Sequence, residues 1–451
     1  MAVSPPAGAF AGTARRSVSP LKWLRPGMRL KRWLLLAAAG VSVALVGVAL
    51  VGRGRPMDAL SLANRAVRWA DVHWPGLLSA QATATWGGLV LAAVGVAVVV
   101  FSVGHLLRSI AAAITPGGTP GEFVDAALRA RILSQGPRMV VLGGGTGLST
   151  MLRGLKQYSS NIVAVVTVTD DGGSSGKLQR QLNILPPGDI RNCLVALADS
   201  EGTMTELFQH RFRGESRAEG LRDHAFGNLL IAALCDISGG DFEEAVRRTS
   251  TVLNIRGQVL PSTLSHVRLC ADMEDGSVVE GETSIADSPL RVRRISLSDP
   301  EAEALTEVTS AILDADVVVI GPGSVYTSVI PNLLVRGIPE ALNRSRARKV
   351  YICNVMTQPG ETNNFAASDH VKAIEAHVRR PVVDYVIANT AVPSLELLDK
   401  YRRSGAVLVE PDCDRIRAMG YRPIPGSYIS QTDVVRHDPG RLAEAIMRLL
   451  V

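Results

Sequence analysis

The chain has 451 residues, enough for more than one domain and a large buried core, with 47% apolar residues and a mean hydropathy of +0.18. Its formal charge of +6 is uneven: residues 1–138 carry fifteen Lys/Arg against four Asp/Glu, and the remainder thirty-three against thirty-eight. The larger part is thus mildly acidic and lacks the clustered basic runs that nucleic-acid binding needs, and five dispersed cysteines (Cys193, Cys235, Cys270, Cys353, Cys413) without a CxxC pair argue against a disulfide framework or a structural zinc site.

In chain order, residues 1–32 form a basic tail with Arg15, Arg16, Lys22, Arg25, Arg29, Lys31 and Arg32 and no acid. Trp33–Gly52 and Trp86–Leu107 are then uncharged stretches of about twenty residues, long enough as helices to cross a hydrocarbon core of about 30 Å. The basic tail predicts a cytoplasmic N-terminus, and two spans return the chain to the cytoplasm at Arg108. A cleaved signal peptide fits poorly, because its apolar region is shorter and a second span would remain. Residues 33–114 are therefore expected to be two transmembrane helices with a short external loop, giving a two-pass protein of the cell membrane with both termini cytoplasmic.

Residues 115–137 read as a linker, Thr115-Pro116-Gly117-Gly118-Thr119-Pro120-Gly121, followed by a short helix over Phe123–Leu133. From Arg138 to Val451, β-branched runs alternate with helix-length stretches, which predicts an α/β domain with a mostly parallel sheet. The expected strands are Met139–Leu142, Ile162–Thr169, Val317–Ile320, Lys349–Asn354, Val383–Ala388 and Ala406–Val409. Between Gly257 and Ser296, Val259, Leu264, Val267, Leu269 and Val278–Val279 flank the turn pair Asp275-Gly276, which suggests a small β-hairpin insertion.

Three loops carry candidate chemistry. Gly143-Gly144-Gly145-Thr146-Gly147 lies between a strand and a helix, where glycines let the backbone approach a phosphate and the helix N-terminus offers free N–H groups. The second loop holds Asp170, Asp171, Gly172 and Gly173 at a strand end. There a carboxylate accepts ribose hydroxyls, or two carboxylates hold a divalent cation, or the acids merely cap or are solvated. Gly176-Lys177 resembles the end of a P-loop, but Asp171 stands where glycine is needed and Leu178 where Ser/Thr is needed. The third loop, Gly321-Pro322-Gly323-Ser324, suits a second anionic group. Asn228 and Asn354 are placed to read sugar or base edges or to cap helices, and His224 is the nearby candidate general base or a surface histidine.

Six ordered blocks resemble the gluconeogenesis-factor (YvcK-like) family, whose fold is shared with the phospholactate transferases (CofD-like) of cofactor F420 biosynthesis. They are VVLGGGTGLST (140–150), TVTDDGGSSGKL (167–178), LPPGDIRNCLVALAD (185–199), FGNLLI (226–231), IGPGSVYTSVIPNLLV (320–335) and VYICNVMTQPGET (350–362). The resemblance implies a Rossmann-like, nucleotide-sugar-binding domain over 138–451. It also implies a regulator that binds UDP-N-acetylglucosamine and links gluconeogenic growth to cell-envelope precursor supply and cell shape. Typical members begin near the first strand, so the N-terminal membrane portion is the departure here. No catalytic residue is assigned. The alternative is a metal-dependent transferase of a nucleotide-activated phospho compound, for which Mg²⁺ would be needed, and a dehydrogenase reading rests on the first glycine loop alone. Expected partners are a UDP-sugar, the membrane, a protein of envelope-precursor synthesis and further copies of the chain, without nucleic acid.

Overall fold

The computed structural model describes residues 30–51, 80–114, 120–199, 202–212, 219–431 and 434–450. Most of the basic tail, most of the expected external loop and the 115–119 linker lie outside the described residues. The chain divides into two compact units, one up to Arg129 and the other from Ala130.

The first unit contains helices α1 (Leu30–Val51) and α2 (Ala80–Ile114), each long and apolar enough to cross a membrane. They pack through small residues. A Cβ on Gly47 would lie 2.3 Å from the Ala92 nitrogen, and one on Gly95 would lie 2.4 Å from the Ala44 nitrogen, so the two backbones are in contact. Leu35, Leu45, Val90 and Val100 point outward and are exposed. At one end Trp33 stacks on His105 with ring centroids 4.3 Å apart. Helix α3 (Pro120–Ser134) begins slightly before the expected Phe123 and crosses the division between the units.

The second unit is built on seven strands: β1 (Met139–Gly143), β2 (Ile162–Val166), β3 (Gln258–Pro261), β7 (Val317–Ile320), β8 (Arg348–Ile352), β9 (Tyr385–Asn389) and β10 (Arg422–Gly426). Their order is β10-β9-β8-β7-β1-β2-β3 and every pairing is parallel. All residues of β1 and β7 are buried, as continuous apolar runs require when both sheet faces are covered. The small insertion is a separate antiparallel sheet of three strands, β4 (Leu269–Met273), β5 (Val278–Glu280) and β6 (Val292–Leu297), with β4 central. A two-stranded pair, β11 (Ile429–Gln431) and β12 (Val435–His437), follows the main sheet.

Two strand expectations need correction. Ala406–Val409 joins no sheet; it is strapped to the 355–357 segment by Thr357 N–H to Val407 O at 2.8 Å and Val409 N–H to Val355 O at 2.9 Å. Val259 belongs to β3, the edge of the main sheet, and not to the insertion.

Candidate functional site

The chain leaves β1 toward β2 and β3 on one side, and returns through β7 to β10 on the other. The β1/β7 boundary is therefore the point where strand order reverses, and a crevice opens there at the carboxyl ends. Both glycine loops lie at this point. The first leads from β1 into α4 (Gly145–Leu155), whose N-terminus has no side-chain cap. Gly145 sits at φ +64°, a conformation that side-chain-bearing residues rarely adopt. A Cβ on Gly147 would lie 2.5 Å from the Pro322 carbonyl oxygen, so the two loops touch through backbone.

Other segments fix this geometry. The Asn332 amide donates to the Gly143 carbonyl at 3.1 Å and to the Ser328 carbonyl at 2.8 Å, tying one loop to the helical turn after the other. Asp189, at the start of α6 (Gly188–Leu197), accepts the Gly145 N–H at 2.5 Å. Ser324 accepts from the Thr327 N–H at 3.3 Å and donates to the buried Glu361 carboxylate. It caps a π-helical turn, Val325–Val329, a distortion often found at functional sites.

Between the loops is a cleft of about 420 Å³, the size of small-molecule sites. Gly144–Gly147 and Thr150 form one wall, and Pro322–Ser324 with Thr327 and Ser328 form the other. Segment 354–358, Tyr401 and Val435–His437 complete it. Glu282 enters from the first turn of a short helix, Glu282–Ala286, in the insertion. Arg436 is the one Lys or Arg among the described lining residues, and its side chain is exposed.

Burial drives Glu282 in the cleft, and Asp189 and Glu361 behind its loops, toward neutrality. Burial, with the charges of Asp170, Asp189, Glu361 and Asp171, pushes Glu282 up to about 9. Burial and then Asp170 push Asp189 up to about 6, against the Gly145 N–H bond that lowers it. Burial also raises Glu361. At neutral pH Glu282 is therefore a hydrogen-bond donor, able to face a phosphate or sugar oxygen. Burial holds the His437 imidazole down at about 4, hence neutral.

Of the residues singled out in the sequence, Gly144, Gly145, Thr146, Gly147, Pro322, Gly323, Ser324 and Asn354 line this cleft. Gly143 and Gly321 stand behind it at the strand ends. Asp170, Asp171, Gly172, Gly173 and Asn228 lie outside its lining. Asp170 accepts the Gly172 N–H at 3.0 Å. Asp171 accepts both the N–H and the hydroxyl of Thr283, at 3.0 and 2.7 Å, and so anchors the insertion. Asn228 and the buried His224 both bond the Ser174 hydroxyl at 3.1 Å, so His224 is a buried network member and no surface residue. Among the described residues no three His, Cys, Asp or Glu side chains converge to hold a metal ion. Sequence reasoning missed Asp189, Glu282, Asn332, Glu361 and Arg436. Asp189, Asn332 and Glu361 had a local signal, their positions in the 185–199, 320–335 and 350–362 blocks; Glu282 and Arg436 had none.

A sequence model of the family described as 2-phospho-L-lactate transferase CofD matches residues 139–429. A putative gluconeogenesis factor of Nostoc sp. is 44% identical over 440 residues, covering 97% of this chain and 94% of that protein. The gluconeogenesis factor of Bacillus subtilis is 46% identical over 319 residues, covering 70% of this chain and 99% of that one. A crystal structure of a Bacillus halodurans protein superposes with a TM-score of 0.67 at 47% identity, covering 69% of this chain and 100% of that chain. The Nostoc match takes in nearly all of the N-terminal portion, so the expected departure from the family is shared by that relative.

Proposed function

We infer, because the chain belongs to the gluconeogenesis-factor family and carries a CofD-like domain, that its cleft binds UDP-N-acetylglucosamine as a regulatory ligand. The observation that carries this reading is the meeting of two glycine loops, Gly147 against Pro322, at the strand-order reversal. Backbone N–H groups there suit a diphosphate. Arg436 supplies the one cationic side chain among the described lining residues, and protonated Glu282 supplies a donor without adding negative charge. We further propose that α1 and α2 cross the cell membrane with both termini inside, which brings the cleft to cytosolic nucleotides. The regulator would then link gluconeogenic growth to envelope-precursor supply and cell shape through a protein partner.

The CofD match favours a second reading, a transferase of a nucleotide-activated phospho compound. It asks Asp170 or Asp171 to hold Mg²⁺, but the Asp171 carboxylate is engaged by Thr283 and no three-ligand group forms among the described residues. Asp170 could then hold Mg²⁺ only together with water and the phosphate oxygens of a bound substrate. Incubating the full chain in detergent with UDP-N-acetylglucosamine and Mg²⁺ separates the readings. The regulator returns the ligand intact; metal-dependent release of UDP or UMP, lost in Asp170→Asn, would establish the transferase instead.

A further inference from the structure

Beside the cleft, the N-termini of three helices meet. They are α5 (Gly173–Leu182), α6 and α8 (Phe226–Ile237), with α7 (Thr203–Gln209) packed nearby. Ser174 in the first turn of α5 is the hub. Its hydroxyl receives the Asn228 amide at 3.1 Å and the Ala225 N–H at 3.4 Å from α8, and it bonds His224 Nδ1 at 3.1 Å. From α6, a Cβ on Gly188 would lie 2.2 Å from the Ser175 hydroxyl. None of the three helices has a side-chain N-cap of its own, but at α8 the Ala225, Phe226 and Asn228 N–H groups are taken by Ser174, the His210 carbonyl and the Ala225 carbonyl, which leaves α5 and α6 to offer their first-turn N–H groups.

Arg191 of α6 is an independent sign that a ligand belongs here. Its side chain is 7% exposed and runs over the first turn of α8, where a Cβ on Gly227 would lie 2.8 Å from Arg191 Cδ. Nη2 donates to the Asn192 side chain at 2.8 Å, but Nε and Nη1 are buried without any hydrogen-bond partner. The Asn228 Oδ1, on a side chain 1% exposed, is also without a partner. Buried donors of a cation are seldom left unspent, because desolvation is not repaid. The surrounding charges are of both signs, with Asp170 Oδ2 3.1 Å from the position of a Cβ on Gly188 at the start of α6. Burial and then Arg211 lower the Arg191 pKa, and burial and then Lys177 lower that of His224. Asp189 and Asp170 act on Arg191 in the opposite sense, yet among the described residues its side-chain hydrogen bond goes to Asn192 and not to a carboxylate.

We propose that the α5 and α6 N-termini and the Arg191 guanidinium, with Asn228 of α8, form a second ligand site, for a small phosphate monoester, outside the glycine-loop cleft. A tetrahedral oxyanion can accept from the unspent Arg191 nitrogens and from helix N–H groups at once, where a flat carboxylate meets fewer of them. The Asn228 oxygen takes a hydroxyl or a protonated phosphate oxygen. Ser174, Ser175, Arg191 and Asn228 do not line the cleft, so the site is compatible with a nucleotide sugar bound at the same time.

Equilibrium dialysis of the full chain in detergent tests this, using inorganic phosphate and glycerol 3-phosphate as probes, each with and without saturating UDP-N-acetylglucosamine. The proposal predicts saturable binding of the monoester that persists with the UDP-sugar present. It also predicts about a tenfold loss in Arg191→Lys, which keeps the charge but not the guanidinium donors, with UDP-sugar binding retained. Lys177→Met, at an exposed position, should weaken monoester binding about threefold by reducing local charge, and it serves if Arg191→Lys does not fold. Saturable binding of inorganic phosphate alone, with none of the monoester, would overturn the ligand class. Absence of saturable binding by either probe would overturn the site, as would complete displacement by UDP-N-acetylglucosamine or wild-type affinity in the folded variants. UDP-sugar binding is read separately, so failure here leaves the cleft reading intact.

Discussion

Glu282 reaches the cleft from the insertion, far in sequence from the loops it faces, and burial among other acids pushes it up to about 9. Its folded value is above the ordinary 4.5, so the folded protein holds a proton that the unfolded chain releases. Stability from this group is fully present below about pH 4.5 and is lost as pH rises toward about 9. Asp189 acts in the same sense between 3.8 and about 6. Glu282→Gln should therefore stabilise the protein by about 1–3 kcal/mol at pH 7.5 and by almost nothing near pH 4.5. Urea unfolding at the two pH values checks this; equal midpoints for variant and wild type at pH 7.5 would show that the carboxyl is not held neutral. The glycine loops were legible because a glycine run after an apolar strand has one strong local meaning. Glu282 and Arg436, outside every motif block, were not, since single charged residues acquire their roles only when the chain brings them together. Asp171 left a ligand role and a capping role open at its strand end, and tertiary packing gave it the first-turn N–H and the hydroxyl of Thr283.

The central strands β1, β2, β7, β8 and β9 were visible as β-branched runs, because strands covered on both faces must be apolar throughout. The two edges were harder to see. β10 carries Pro423 and Pro425, which a sequence reading discounts but an edge strand tolerates. β3 has only four residues and runs on toward the insertion, whose hydrophobic texture absorbed it. Ala406–Val409 has strand composition but is strapped to the 355–357 segment instead. The contact between the glycine loops was beyond sequence reading, and it makes a sharp test. Gly147→Ala places a methyl 2.5 Å from the Pro322 carbonyl and must spread the loops. We predict about a tenfold loss of UDP-sugar affinity with the fold retained by circular dichroism. Undiminished affinity would mean that the loop spacing does not matter to the ligand.

At the scale of the whole molecule, an apolar two-helix unit precedes the α/β unit, and a relative from Nostoc sp. shares nearly the whole length. The basic tail predicts the orientation, although four arginines (Arg53, Arg55, Arg65, Arg68) follow the first helix. In a cysteine-free background, a cysteine at Ser61, outside the described residues, should react with an impermeant maleimide in intact cells. One at the exposed Ser134 should not. Labelling at Ser134 would place the α/β unit outside and remove its supply of UDP-sugar. The most direct test of the central claim is titration calorimetry of UDP-N-acetylglucosamine into the full chain in detergent, beside Arg436→Met. Arg436 is exposed at the cleft, so this change leaves the core untouched. Saturable one-site binding is expected, weakened about tenfold or more in the variant, the scale of one charge-assisted hydrogen bond. No binding to the folded wild type, or equal affinity in the variant, would contradict it.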